Sequence, residues 1–298
     1  MTTPLLLGLI GLALAQPVPA LLARMEWPYR APRAAVVLWQ ALALAAILAM
    51  VGAGLSASLW LVVHEGAPNP APDAWRVALH VAFMALTLVV VLRTAWSMIV
   101  VAIEVRAVRR RHRTLVDLVA SRDAAGRSVR ILDAPEPLAY CLPGMDARVV
   151  LSRGTLASLE PSELEAVLAH ERAHLRARHD LVLDAFTALH RAFPRVLRSD
   201  AALDSTRVLV ELLADDHARR ASGTTPLARA LVKIGTQPAP AGTLGATTTL
   251  VRRIERLEED GKGRREAAAC YLTAALVVLG PTISLAVPWM SSAWATLS

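Results

Sequence analysis

Four stretches of this chain are each about 20 residues or more of nearly uncharged apolar sequence, long enough to cross a bilayer as helices. They cover residues 4–23, 34–63, 77–103 and 267–298. Arg93 is the one charged side chain inside the third run. The fourth is interrupted by Pro281 and Pro288 and carries Trp289 and Trp294, which suit a membrane–water interface. One polar segment cannot shield four such helices from water, so the pattern excludes an ordinary soluble globule. The chain is 55% hydrophobic, which also excludes a disordered polymer. The expected fold is an α-helical membrane protein with four transmembrane helices and an inserted, mainly helical α+β domain over residues 106–266.

Charge placement predicts the orientation. Arg24, Arg30 and Arg33 lie between the first two runs, and Arg106, Arg109, Arg110, Arg111 and Arg113 follow the third. The loop at 64–76 holds Glu65 and Asp73 against Arg76. The positive-inside rule then places both termini outside and the polar segment in the cytoplasm of a multi-pass cell-membrane protein. The first run lacks a basic leader, and removing it would invert the later arginines, so it is expected to be retained as a span. Arg93 needs a partner inside the bundle, with Gln40, backbone carbonyls or water as the choices.

The polar segment carries most of the charge, with both signs mixed and few aromatics. That pattern argues against direct nucleic-acid binding. Cys141 and Cys270 form no metal-binding pair spacing. A basic helix is expected over 106–125, then strands at 129–132, 138–142 and 148–151, the last two joined through Pro143–Asp146. A helix follows from about Pro161; either Pro161 opens it or Ser162 and Glu165 form its capping box. Residues 236–245 are rich in Pro and Gly, a loop or a gate. Leu250–Glu259 reads as an amphipathic helix with Ile254 and Leu257 inward, packed under the domain or along membrane lipid.

The helix beginning near Pro161 contains His170-Glu171-Arg172-Ala173-His174. Residues i and i+4 share a helix face, so both imidazoles can reach one metal ion, and Glu171 is placed to take a proton from metal-bound water. Chance yields this pattern about once per hundred chains of this composition. A catalytic zinc needs a third protein ligand. Glu211, with Asp215 one turn on, is the best candidate: Glu211 can bind metal while Asp215 accepts the outer N–H of a ligand histidine. His179, Asp180, Asp216 and His217 are the other candidates. His179 ranks low, five residues past His174 and on a different helix face. His217 is either a group that polarises the substrate carbonyl or a solvated histidine.

The string LEAVLAHERAHLRARHD, followed by ELLAD and set between three spans and a fourth, resembles the BlaR/MecR membrane metallopeptidases. The resemblance implies a gluzincin-like zinc peptidase domain with one Zn2+ per chain, His170, His174 and Glu211 as ligands, Glu171 as general base and Asp215 supporting the site. It also implies that Ala139 and Tyr140 line the cleft and receive a protein or peptide substrate as an added strand. The expected activity is endopeptidase cleavage by metal-activated water, with a cytosolic transcriptional repressor as target. The chain stops at Ser298, leaving no room for the extracellular penicillin-binding sensor of the fullest members. The same motifs also resemble HtpX/Ste24-type membrane proteases, which serve quality control or prenyl-protein processing, although the order of spans differs. A non-proteolytic membrane transducer is the rival from another class, and a homodimer is left open.

Overall fold

A computed structural model describes residues 2–63, 74–122, 128–194, 199–235, 246–258 and 263–297. Most of the 64–76 loop and the whole Pro/Gly-rich stretch 236–245 lie outside these. The elements in order are α1 (Thr2–Ala15), α2 (Pro17–Leu22), α3 (Trp27–Arg30), α4 (Pro32–Val63), α5 (Ala74–Val119), β1 (Ser121–Arg122), β2 (Val129–Leu132), β3 (Ala139–Leu142) and β4 (Arg148–Ser152). Then come α6 (Arg153–Ser158), α7 (Pro161–Ala177), α8 (His179–Ala192), α9 (Asp200–Ser222), α10 (Thr224–Gly235), α11 (Ala246–Glu258) and α12 (Arg264–Pro281). A π-helical segment, Thr282–Ala286, leads into α13 (Val287–Leu297).

The chain divides into two compact units. The first comprises Met1–Ile99, Phe186–Ser205 and Arg264–Ser298. Four helical stretches in the described chain are long and apolar enough to span a membrane: Thr2–Leu22, Pro32–Ser58, Ala74–Val119 and Arg264–Ser291. Within this unit α4 packs against α1 and α12 around Leu38, Trp39 and Leu42, all nearly inaccessible. Small residues let these backbones approach. A Cβ at Gly11 of α1 would lie 2.8 Å from the Met50 side chain of α4.

Residues 186–205, read from sequence as part of the polar segment, fall in this first unit. Arg93 Nε donates to the carbonyl oxygen of Ala192 at 2.9 Å, and Ser97 Oγ donates to that of Ala188 at 2.7 Å. A backbone carbonyl is therefore the partner that the third span's arginine requires. The last turn of α8 presents such carbonyls because helix ends lack intrahelical donors.

The second unit comprises Val100–Ala185 and Thr206–Gly263. Its sheet has the order β1-β2-β4-β3. β2 and β4 run parallel, whereas β3 is antiparallel to β4 with Tyr140 opposite Val150. Period-two alternation sends Val149 and Leu151 to one face, where they pack with Val129, Leu159 and Val167. Val150 turns to the other face and packs with Val116 of α5, Leu142 and Tyr140. β3 occupies the sheet's edge, and its residues run beside α7.

α7 begins at Pro161, with Glu160 as N-cap. The capping box uses Glu163, whose side chain accepts from the Glu160 backbone N–H at 2.9 Å, in place of the Ser162–Glu165 pair. Glu163 is buried and its carboxylate also accepts from Lys233 Nζ of α10 at 2.6 Å. The Lys233 hydrogen bond, which outweighs burial, holds the Glu163 carboxyl below the usual carboxylate range. Its stabilisation is therefore present above about pH 4.5 and lost as pH falls through the lower folded value. Lys233→Met should destabilise the detergent-solubilised protein by about 1–3 kcal/mol near neutrality. Thermal melts across pH should show the deficit shrinking as Glu163 protonates in acid.

Candidate metal centre

His170 and His174 project from α7, and Glu211 meets them from α9. Their ligand atoms all lie within 4.8 Å of one another. The two Nε2 atoms are 3.2 Å apart, with Glu211 Oε2 3.4 Å from that of His170 and Oε1 3.4 Å from that of His174. Ligands at 2.0–2.2 Å from one tetrahedral ion stand about 3.3 Å from each other, so this triangle has the size a zinc ion requires. The donor set, two imidazoles and a carboxylate, is also one that zinc accepts.

The outer nitrogen of His170, Nδ1, lies 3.0 Å from Asp215 Oδ1, in a bent approach. Asp215 is itself gripped by Arg253 of α11: Nε donates to Oδ2 and Nη2 to Oδ1, both at 2.7 Å. The remaining guanidinium nitrogen, Nη1, is 3.1 Å from Glu211 Oε2. Burial opposes charge on every one of these groups. It is outweighed at Glu211 by the His170 hydrogen bond and by Arg253, which hold that carboxyl far below its ordinary range. Burial likewise works against charge on His170, but Asp215 and Glu211 raise its pKa to about 9 in the metal-free protein. At His174 burial prevails and lowers the pKa to about 4.

A cavity of about 550 Å3 opens onto this cluster. Glu171 lines it, together with Ala139, Tyr140 and Cys141 of β3. Burial, opposed by His170 and reinforced by Glu211, raises the Glu171 pKa, and the neighbouring Cys141 thiol works against that rise. Tyr140 turns its ring to the α5 side of the sheet, with its hydroxyl 3.0 Å from His112 Nε2.

The structure thus gathers His170, Glu171, His174, Glu211, Ala139 and Tyr140 around one cavity, with Asp215 behind His170. His217 is not among the residues lining it. His217 stands two positions past Asp215, about 200° around α9 from it, and its Nε2 accepts from Arg176 at 3.2 Å. Asp216 is likewise turned to Arg256.

Arg253 and His179 also belong to the site, although motif spacing does not point to the first and sets the second on another helix face. Arg253 had a signal: it lies at i+3 from Leu250 and i−4 from Leu257, on the inward stripe of an amphipathic helix. His179 is buried against the site, with its Nδ1 3.0 Å from His174 Nδ1.

Comparison with known proteins agrees with this geometry. The sequence profile described as "Peptidase family M48" matches residues 106–259. A protein named "Protease HtpX homolog", from Thermoplasma acidophilum, is 45% identical over 47 residues, which is 16% of this chain and 15% of that relative. This chain therefore spans about one seventh of the length of the curated relative it matches. No solved structure matches it.

Asp215→Asn should weaken zinc binding by about 10–100-fold, because it loosens the grip on His170. His217→Ala should leave zinc affinity within about twofold, as expected for a surface substitution. Metal titration of the purified variants against a competing chelator checks both.

Proposed function

Because the chain belongs to peptidase family M48, we propose that it is a membrane-embedded zinc endopeptidase that cleaves extended segments of protein substrates. The observation that carries this reading is the His170–His174–Glu211 triangle at the floor of a cavity walled by an edge strand. When bound, zinc supplies Lewis-acid polarisation of a peptide carbonyl and of water.

The chain's own residues do the rest. His170, His174 and Glu211 hold the ion. β3 offers an edge that is unpaired among the described residues, along which a substrate adds as a strand, with Ala139 and Tyr140 beside the scissile bond. Glu171 takes a proton from the attacking water as its oxygen bonds to the carbonyl carbon. As the C–N bond breaks, Glu171 returns that proton to the departing amine nitrogen. Burial raises its pKa toward the working range of a general base.

Orientation follows from the arginines at 24–33 and 106–113: peptidase domain in the cytoplasm, both termini outside. The boundaries proposed for that domain are 106–266, between three spans and a fourth. The likeness to an HtpX protease favours broad proteolysis over the BlaR/MecR-type cleavage of a single cytosolic repressor. Membrane lipid is the surrounding partner, and dimerisation is not required by the site.

Glu171→Gln should retain zinc and lose peptide cleavage by about 10²–10⁴-fold, read on unfolded protein and on a purified repressor as parallel substrates. Full cleavage by the variant overturns the mechanism; cleavage of the repressor alone restores the narrower target. Single cysteines at positions 68 and 240, in a background without Cys141 and Cys270, should label from outside and from inside respectively. Outside labelling at 240 overturns the orientation.

A further inference from the structure

Each metal-ligating imidazole has an outer nitrogen that must be held if the ring is not to swing. Asp215 serves His170. For His174, we infer that His179 is the positioning residue, accepting the outer N–H of His174 and so fixing both its tautomer and the plane of its ring. The inference rests on the metal triangle and not on the choice of substrate.

The proton inventory leaves one arrangement. His174 turns Nε2 toward His170 Nε2 and Glu211, so that nitrogen needs its lone pair for the ion. A neutral imidazole then carries its hydrogen on Nδ1. That atom lies 3.0 Å from His179 Nδ1, and the two rings meet edge-on at 89° with centroids 4.9 Å apart. An N–H aimed at an in-plane lone pair has this geometry. His179 must therefore present a bare Nδ1 and carry its own hydrogen on Nε2. It is 6% exposed, on the wall of the cavity beside His174.

His179 is not a further ligand. It meets His174 on the side away from the ion, and it stands outside the group of ligand atoms that converge.

The backbone supports this assignment independently. α7 ends at Ala177, and Arg178 takes the left-handed conformation with φ 52°, the one described non-glycine residue with positive φ. Such a residue is disfavoured without glycine and gathers at functional sites. Here it ends α7 and turns the chain into α8, whose first residue, His179, stands 3.0 Å from His174. A helix running straight on would carry residue 179 about 140° around from residue 174.

The test compares His179→Gln with His179→Met in the full-length protein in detergent. The two side chains are similar in size, but the Gln amide oxygen accepts an N–H well and the Met sulfur only weakly. Zinc affinity is measured by competition with a chromophoric chelator, and melting of the metal-free protein reports the fold. His179→Met is expected to raise the zinc Kd by about 10–100-fold, and His179→Gln to recover most of that loss. Wild-type zinc affinity in the Met variant, or equal weakening in both variants, overturns the assignment. If the metal-free Met variant melts below the wild type, His179→Phe takes its place, with the same outcomes deciding. Peptide cleavage is not read, so a failure of the peptidase reading leaves this result intact.

Discussion

Glu211 and Asp215 stand one turn apart on α9, and a buried carboxylate such as Asp215 beside a second one is costly unless cations meet them. Arg253 answers both, with two bonds to Asp215 and a third nitrogen at Glu211. A divalent ion between His170, His174 and Glu211 supplies the rest. With Glu171 ionised, three carboxylates then face a guanidinium and two metal charges, and the site is neutral. Without the ion, negative charge is in excess, and Asp215 and Glu211 favour the protonated His170 imidazole against the effect of burial. Metal binding and proton release are thereby linked at this residue.

That cluster needs rigid walls, and the second unit builds them from little material. The sheet is thin, yet both of its faces are covered. Val149 and Leu151 anchor the face toward α7, while Val150 and Leu142 anchor the face toward α5. β3 is held by β4 on one side only among the described residues, so its other edge keeps its hydrogen-bonding groups for a visitor. An exposed strand edge is a feature that proteins otherwise conceal, and the proposed mode of substrate binding makes use of it.

Much of this was legible in the amino-acid order, and the reasons differ by element. The spans are visible because hydrocarbon tolerates almost no charge, and the metal pair because four residues of helix return a side chain to the same face. Glu211 and Asp215 follow the same rule on a second helix. The β3–β4 pair was legible from its alternation and the intervening Pro-Gly. Three features were not. The position of His179 depends on a left-handed arginine, where sequence logic looks for glycine or asparagine. The placement of His217 depended on which face of α9 turns to the cavity, and a motif that counts spacing along the chain does not say which residues fall behind it. Residues 186–205 are too polar to be read as belonging with the membrane helices. Their membership rests on carbonyl groups that every residue carries, here taken up by Arg93 and Ser97.

The Arg93–Ala192 bond also sets an order of events during synthesis. Its two residues are 99 positions apart. At about 5–20 residues per second, a ribosome needs several seconds to travel from one to the other. Through that interval the third span's arginine is without the Ala192 carbonyl that receives it in the finished fold. The packing around that helix is thus complete only after the end of α8 has been made.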